Sequence, residues 1–266
     1  MNATVMGHTV ADVFEESLDA ADEGSFVVAP NPATISGLVD AIDESSPKIH
    51  LLADTATLKT AMGEFLVAGR AADHVDADVL EIRQYEGCAS ALLVTASSVV
   101  AVVDGADRVA GLTTDDGVFI EDANDRLSAA WDSADPYDLR TPPLTRVRTT
   151  LGSELGASTA EEFDSVFAAI EASGGSMDEV TVSVLAAARN EDLLYDISKW
   201  GEDVGIASKA TFSRTKTRLE ELGVIETEKV PIDVGRPRLR LRIADERLET
   251  DDHAAFARAA QSILEA

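Results

Sequence analysis

The sequence predicts an α/β N-terminal domain, strands with helices and then a β-meander, joined to an α+β C-terminal winged helix-turn-helix. Three observations carry that expectation. Strand and helix periodicities alternate from residue 10 to residue 66. Short Val-rich runs separated by turn residues come next. The chain then closes with two helices, a capped basic helix and a two-stranded ribbon, in that order.

Val10, Val13, Phe14, Leu18 and Ala21 recur at helical spacing and predict a helix over 10–21. Phe26–Ala29 is a buried strand ended by Pro30-Asn31-Pro32. A helix through Ile35, Leu38, Val39 and Ile42 runs until Pro47 stops it. Ile49–Ala53 is a second strand, and Asp54-Thr55-Ala56-Thr57 opens one helix through Leu58, Met62, Phe65 and Leu66. Short strands are expected at Val79–Ile82, Leu92–Thr95, Val99–Val103, Arg108–Leu112 and Gly117–Ile120, then a helix over 122–134 with Leu127 and Trp131 inward. Residues 135–159 read as a connection, because Asp135-Pro136 and Pro142-Pro143 break helices and Gly152 and Gly156 loosen the chain. Ser158 and Glu161 form a capping box for a helix with Phe163, Val166, Phe167 and Ile170 on one face, ended by Gly174-Gly175. The expected organisation is an α/β sensor domain over 1–150, a connecting helix region over 151–175, a winged helix over 176–247 and a terminal helix over 248–266.

Within the winged helix, helices are expected at Val180–Arg189, Asp192–Val204 and Lys209–Leu222, and strands at Ile225–Val230 and Arg238–Ile243. Ser208 caps the third helix, with Gly205 and Gly223 marking the turns around it. Its Phe212, Thr215, Leu219 and Leu222 face the core. Lys209, Ala210, Ser213, Arg214 and Thr217 face outward, a small, hydroxylic and basic surface suited to a major groove. Lys216 and Arg218 sit on the flanks, placed for phosphates. In the ribbon, Arg236, Arg238, Arg240 and Arg242 are two apart. On a strand the last three share one face and Leu239, Leu241 and Ile243 the other. A basic ribbon with a Gly-Arg-Pro tip suits a minor groove.

Charge supports this reading. The chain carries 22 Lys+Arg against 49 Asp+Glu, a net −27. Between Gly205 and Arg242 the balance reverses to nine basic against five acidic residues. Acid spread along the whole chain matches proteins of salt-accumulating archaea. In molar salt, phosphate attraction with its slope of about −0.9 per contact cannot alone supply affinity. Base contacts, DNA shape and cations held between acid and phosphate are expected to share the work, giving a shallow salt dependence.

Other classes find little support. The N-terminus has no basic region or long apolar run, and Ala91–Val103 is interrupted by Thr95, Ser97 and Ser98. A cytoplasmic protein with no membrane partner is expected. The single cysteine, Cys88, forms no internal disulfide or thiolate cluster, and His8, His50, His74 and His253 show no metal-ligand spacing. No metal, cofactor or catalytic residue is expected, since nucleophile-elbow, Walker A, Gly-x-Gly-x-x-Gly and His-x-Lys motifs are lacking. The expected strand ends carry Asn31, Asp54, Thr55 and Thr57, which could offer hydroxyls and helical N–H groups to a small sugar or sugar-phosphate effector, or simply cap helices. The face of Phe256, Ala259, Ala260, Ile263 and Leu264 fits a homodimer or packing within the monomer. A protein-interaction adaptor and an enzyme built on the N-terminal domain are the rival readings.

The winged helix with GRPRLRLR, over roughly 176–247, resembles the TbsP family of haloarchaeal regulators and, more loosely, the TrmB-like sugar-responsive regulators of archaea. Residues 92–131 are similar to phospholipase-D-like effector domains of such regulators. There the winged helix precedes the effector domain, whereas here it follows. The resemblance implies a dimeric transcription regulator of central carbon metabolism acting on double-stranded promoter DNA.

Overall fold

A computed structural model describes residues 4–18, 24–87, 89–105, 107–173, 175, 177–232 and 237–265. Two compact units meet in sequence between Leu144 and Thr145. Ala21, Cys88, Gly174 and Arg236, singled out above, lie outside the described residues.

The first unit runs β1 (Thr4–Gly7), α1 (Val10–Leu18), β2 (Ser25–Ala29), α2 (Pro32–Ala41), β3 (Ile49–Ala53), α3 (Thr55–Ala61), α4 (Phe65–Asp76) and β4 (Leu80–Gln84). It continues with β5 (Leu92–Val94), β6 (Val99–Asp104), β7 (Val109–Thr114), α5 (Gly117–Ser133) and β8 (Asp135–Pro136). The strands form one mixed sheet in the order β1-β7-β6-β5-β2-β3-β4-β8. Among the described strands only β2, β3 and β4 are mutually parallel, so the α/β start and the antiparallel meander share a sheet. Alternation along each strand gives the sheet two apolar faces. Val27, Leu51, Ile82 and Leu93 pack with Val13, Phe14, Ile35 and Leu38 of α1 and α2. Phe26, Val28 and Leu52 pack with Leu127 and Trp131 of α5. His50 stacks on Trp131 with ring centroids 4.4 Å apart, and burial pushes its pKa down.

Several expectations need correction. Gly117–Ile120 is the first turn of α5 and not a strand. The Asp116 carboxylate accepts the Phe119 N–H at 2.9 Å and caps the helix that starts at Gly117. The helix expected from Asp54 through Leu66 breaks after Ala61 and resumes at Phe65, around Gly63. Edge strand β1, with alternating exposure, pairs with β7 and was not anticipated. Within 135–159, read as a connection, lies an eleven-residue helix, α6 (Leu144–Glu154). Pro142 and Pro143 precede it rather than interrupt it, and Leu144, Val147 and Leu151 are buried.

The second unit continues with α7 (Ala157–Ser173), α8 (Glu179–Arg189), α9 (Leu194–Val204), α10 (Lys209–Glu221), β9 (Ile225–Val230), β10 (Arg238–Ile243), a short 3-10 turn (Glu246–Leu248) and α11 (His253–Leu264). Helix α7 begins one residue before Ser158, which therefore lies in its first turn. Nor is α7 a free connector, since its Phe163, Val166, Phe167 and Ile170 are buried and it packs on α8 and α11. Trp200 is fully buried, and its Nε1 donates to Thr150 Oγ1 at 2.9 Å. Arg189 joins three helices: it pairs with Glu162 at 2.8 Å, donates to the Thr250 carbonyl at 2.7 Å and lies over the Phe256 ring. Of the stripe considered for a dimer, Phe256, Ala260 and Ile263 are buried within this unit, whereas Ala259 and Leu264 are only half-buried.

Candidate nucleic-acid interface

Helix α9 ends at Gly205 in the left-handed conformation, φ 95°, a geometry that glycine adopts without strain. The chain turns through Ile206 and Ala207, and Ser208 caps α10 by accepting the Thr211 N–H at 3.2 Å. The two helices approach closely where Gly201 meets Phe212. A Cβ on Gly201 would clash with the Cε2–Cζ edge of the Phe212 ring. Phe212 and Leu219 anchor α10 in the core as expected, but Leu222 is 39% exposed and Thr215 only partly covered, so the buried face is narrower than its spacing suggested.

Lys209, Ala210, Ser213, Arg214, Thr217 and Arg218 are all exposed on α10. Arg214 Nη2 donates to Thr211 Oγ1 at 3.1 Å, and Thr217 Oγ1 to the Ser213 carbonyl at 3.0 Å. Neither Arg214 nor Arg218 has an acidic partner among the described residues. Lys209 differs, since its Nζ lies 2.9 Å from Glu202. That hydrogen bond raises the lysine pKa and lowers that of the carboxyl. Lys216, expected to hold a phosphate, points into the α10–β9 junction. Its side chain is 13% exposed and bonds Glu220 at 2.7 Å, and Glu220 also accepts the Thr227 hydroxyl at 2.6 Å. That network ties the helix to the ribbon.

The ribbon pairs Arg238 with Val230, Arg240 with Glu228 and Arg242 with Glu226 across the strands. A bridge from Leu193 to Arg240 and a bond from Leu241 N–H to the Asp192 carbonyl, 2.9 Å, dock it on the α8–α9 turn. Leu241 is buried beneath, as its alternation required. The arginine face is not bare. Arg238 lies 3.2 Å from Asp196 and over the Tyr195 ring at 4.2 Å. Arg240 lies 3.9 Å from Glu228, and Arg242 reaches Glu228 at 3.1 Å and Glu191 at 3.4 Å. Between helix and ribbon opens a cleft of about 430 Å³, lined among others by Tyr195, Ser198, Lys209, Ser213, Pro237 and Arg238. The cleft brings together Lys209, Ser213 and Arg238, Arg214, Thr217 and Arg218 are exposed on the same helix that Ser208 caps, Arg240 lies on β10, and Lys216 is set apart. The acidic partners escaped the sequence reading. Writing out the hairpin register would have placed Glu228 opposite Arg240, whereas Asp196 and Glu202 come from another helix.

In the first unit, Asn31 and Asp54 follow adjacent parallel strands, but each serves a helix. Asn31 Oδ1 accepts the Thr34 N–H at 3.0 Å. The Asp54 carboxylate accepts N–H groups of Ala56 and Thr57, both at 2.9 Å, and the Thr57 hydroxyl at 2.7 Å, and the bond from the Thr57 N–H leads those holding its pKa below the usual range. The Thr55 hydroxyl donates to Gln84 at 3.1 Å. A separate cavity of about 350 Å³ is lined by Lys59, Met62, Tyr137, Asp138, Leu139, Arg140 and Thr141. No helix among the described residues is long and apolar enough to cross a membrane, and those residues contain no cluster of metal-ligating side chains.

Both parts of the chain match family models. Residues 2–142 match the TbsP-like transcriptional regulator N-terminal model, and residues 143–261 the TbsP-like C-terminal helix-turn-helix model. No curated protein matches the chain. Among solved structures, TrmBL2, described as an archaeal chromatin protein with a novel mode of DNA binding, is similar at 14% identity and TM-score 0.37, over 51% of this chain and 54% of its own. The chain thus spans about half the length of TrmBL2. Nuc of Salmonella typhimurium, a phospholipase D family member, is similar at 9% identity and TM-score 0.39, over 52% of this chain and 99% of its own.

Proposed function

The chain belongs to the TbsP-like family of transcriptional regulators, and from that premise we propose how its second unit engages promoter DNA. Helix α10 enters the major groove with Lys209, Ser213, Arg214 and Thr217 toward base edges, Arg218 holds a phosphate, and the arginine face of β10 follows the backbone into the minor groove. The observation that carries this reading is the exposed outer face of α10, where Arg214 and Arg218 stand without acidic partners among the described residues in a chain of net −27. The double substitution Lys209→Ala and Arg214→Ala should abolish the shift of a promoter duplex in a gel while circular dichroism stays native. Unchanged binding would overturn the assignment. Target genes of central carbon and sugar metabolism, a homodimer on a palindromic site and an origin in a salt-accumulating archaeon belong to the same proposal.

The first unit we read as the sensor, with its ligand in the Lys59–Arg140 cavity rather than at Asp54. Lys59 and Arg140 have no acidic partner among the described residues, while Lys48 and Arg70 pair with Asp78 and Asp40 at 2.6 Å. Burial pushes the Tyr137 phenol pKa up and the nearby Arg140 charge pulls it back, so hydroxyl and guanidinium share that cavity. Such a lining suits a small hydroxylated anion, for which a sugar phosphate is the natural class. Calorimetry with glucose 6-phosphate should show binding that is lost in Lys59→Ala/Arg140→Ala, and plain glucose should bind less tightly. No heat with the phosphate would remove this assignment.

A further inference from the structure

Lys209, Arg238 and Arg240 of the proposed DNA surface already rest on carboxylates of the same unit, as does Arg242 beside them. Lys209 holds Glu202 at 2.9 Å, Arg238 holds Asp196 at 3.2 Å, and Arg240 and Arg242 hold Glu228 at 3.9 and 3.1 Å. All are open to water, with side chains between 36% and 50% exposed. Exposed pairs of this kind are weak and exchange readily. A carboxylate oxygen also offers a guanidinium or ammonium the same acceptor geometry as a phosphate oxygen.

We propose that Asp196, Glu202 and Glu228 act as phosphate stand-ins, which position the basic side chains before DNA arrives and set the salt dependence and selectivity of binding. The inference rests on the reading of α10 and the ribbon as the DNA surface. When a phosphate takes over one of these cations, the DNA releases a condensed counterion and the freed carboxylate takes one up. The contact then contributes almost nothing to the salt slope. Arg214 and Arg218, which hold no carboxylate among the described residues, and Arg240, whose Glu228 stays with Arg242, release counterions without recapture.

The two cases differ in number. Five bare contacts, from Lys209, Arg214, Arg218, Arg238 and Arg240, would give a slope of about −4.5 per bound protomer, whereas three, with only Lys209 and Arg238 offset, give about −2.7. A surface arranged this way loses little affinity in strong salt. It also gains little from random DNA, because exchanging carboxylate for phosphate brings no net attraction until base edges fit. Arg238 illustrates the positioning, since the Tyr195 ring at 4.2 Å keeps its guanidinium in place once Asp196 lets go. Lys216 does not take part, because its partner Glu220 is also bonded by Thr227 and the lysine is largely covered.

The test measures fluorescence anisotropy of the full chain on a labelled random duplex, and on a duplex enriched from random sequence by binding, from about 0.1 to 2 M KCl. The wild type should follow a shallow line of about −2.7. The triple variant Asp196→Asn/Glu202→Gln/Glu228→Gln, which keeps side-chain shape, should steepen by about 0.9 for each contact set free and bind the random duplex at least about tenfold more tightly at the low-salt end. A variant with the wild-type slope would overturn the proposal, as would a natively folded variant with weakened binding, which would mean that these acids touch bases directly. Failure of the wild type to bind either duplex is a separate result and would remove the DNA reading itself.

Discussion

Helix α10 and strand β10 carry the same kind of charge and treat it in opposite ways. On the helix, Arg214 and Arg218 stand exposed without an acidic partner among the described residues. On the ribbon, Arg238, Arg240 and Arg242 each lie within 4 Å of a carboxylate. By basic residues alone the two are close, four on α10 and three on β10, and the carboxylate partners among the described residues are what separate them. The difference follows from local geometry. A helix presents neighbours three and four apart, and near Arg214 those places hold Ala210, Thr211, Thr217 and Arg218. A strand presents whatever stands opposite, and the register puts Glu228 and Glu226 there.

Removing the platform that helix and ribbon share should have the largest effect. Trp200 is fully buried, and its replacement by Ala should cost about 3–5 kcal/mol, a large part of the stability of an ordinary domain. Urea denaturation followed by circular dichroism checks this. If the second unit keeps its transition and its DNA binding, helix and ribbon do not depend on one core. Gly201→Ala probes the same packing more locally. The added methyl meets the Phe212 ring, so α10 must shift or that ring must leave its rotamer, at about 1–3 kcal/mol. Arg214→Ala comes next. With a free guanidinium on the outer face, its loss should weaken specific binding by about 1–3 kcal/mol and relax one position of the operator, read by anisotropy on point-mutated duplexes.

The sequence disclosed the parts that obey short periods. The bounds of β3, β9 and β10, the Ser208 cap and the glycine turns follow from alternation and capping chemistry that act within a few residues. It disclosed less where one residue type serves two purposes. Asp116-Gly117 suits a hairpin turn as well as a helix start, and only the Phe119 N–H bond shows which occurs. Pro142-Pro143 excludes a helix behind it but allows one ahead, which is how α6 stayed hidden. The basic face of the candidate site was legible residue by residue. Its neutralisation was not, because Asp196 and Glu202 reach Arg238 and Lys209 from α9 across a turn, and no spacing rule along the chain encodes that contact.

The smallest effect falls on the ribbon and bears most directly on the contrast with the helix. In Arg240→Ala the protein loses a phosphate contact, but it also loses the guanidinium that lies 3.9 Å from Glu228 in the free state. Arg242 remains 3.1 Å from Glu228 and keeps that carboxylate partnered, so the free protein is not left with a lone acid on the strand. Loss in the complex and relief in the free state partly cancel. The net cost should stay below about 1 kcal/mol, the range of an exposed ion pair, well short of Arg214→Ala. Both variants belong on the same duplex at the same salt. Equal losses would mean that Arg240 is as available to DNA as Arg214 and that acid pairing on the ribbon has no bearing on binding. A small loss for Arg240 that grows when Glu228→Gln is added would place the difference in the pairing, because the arginine removed would then have been a free one.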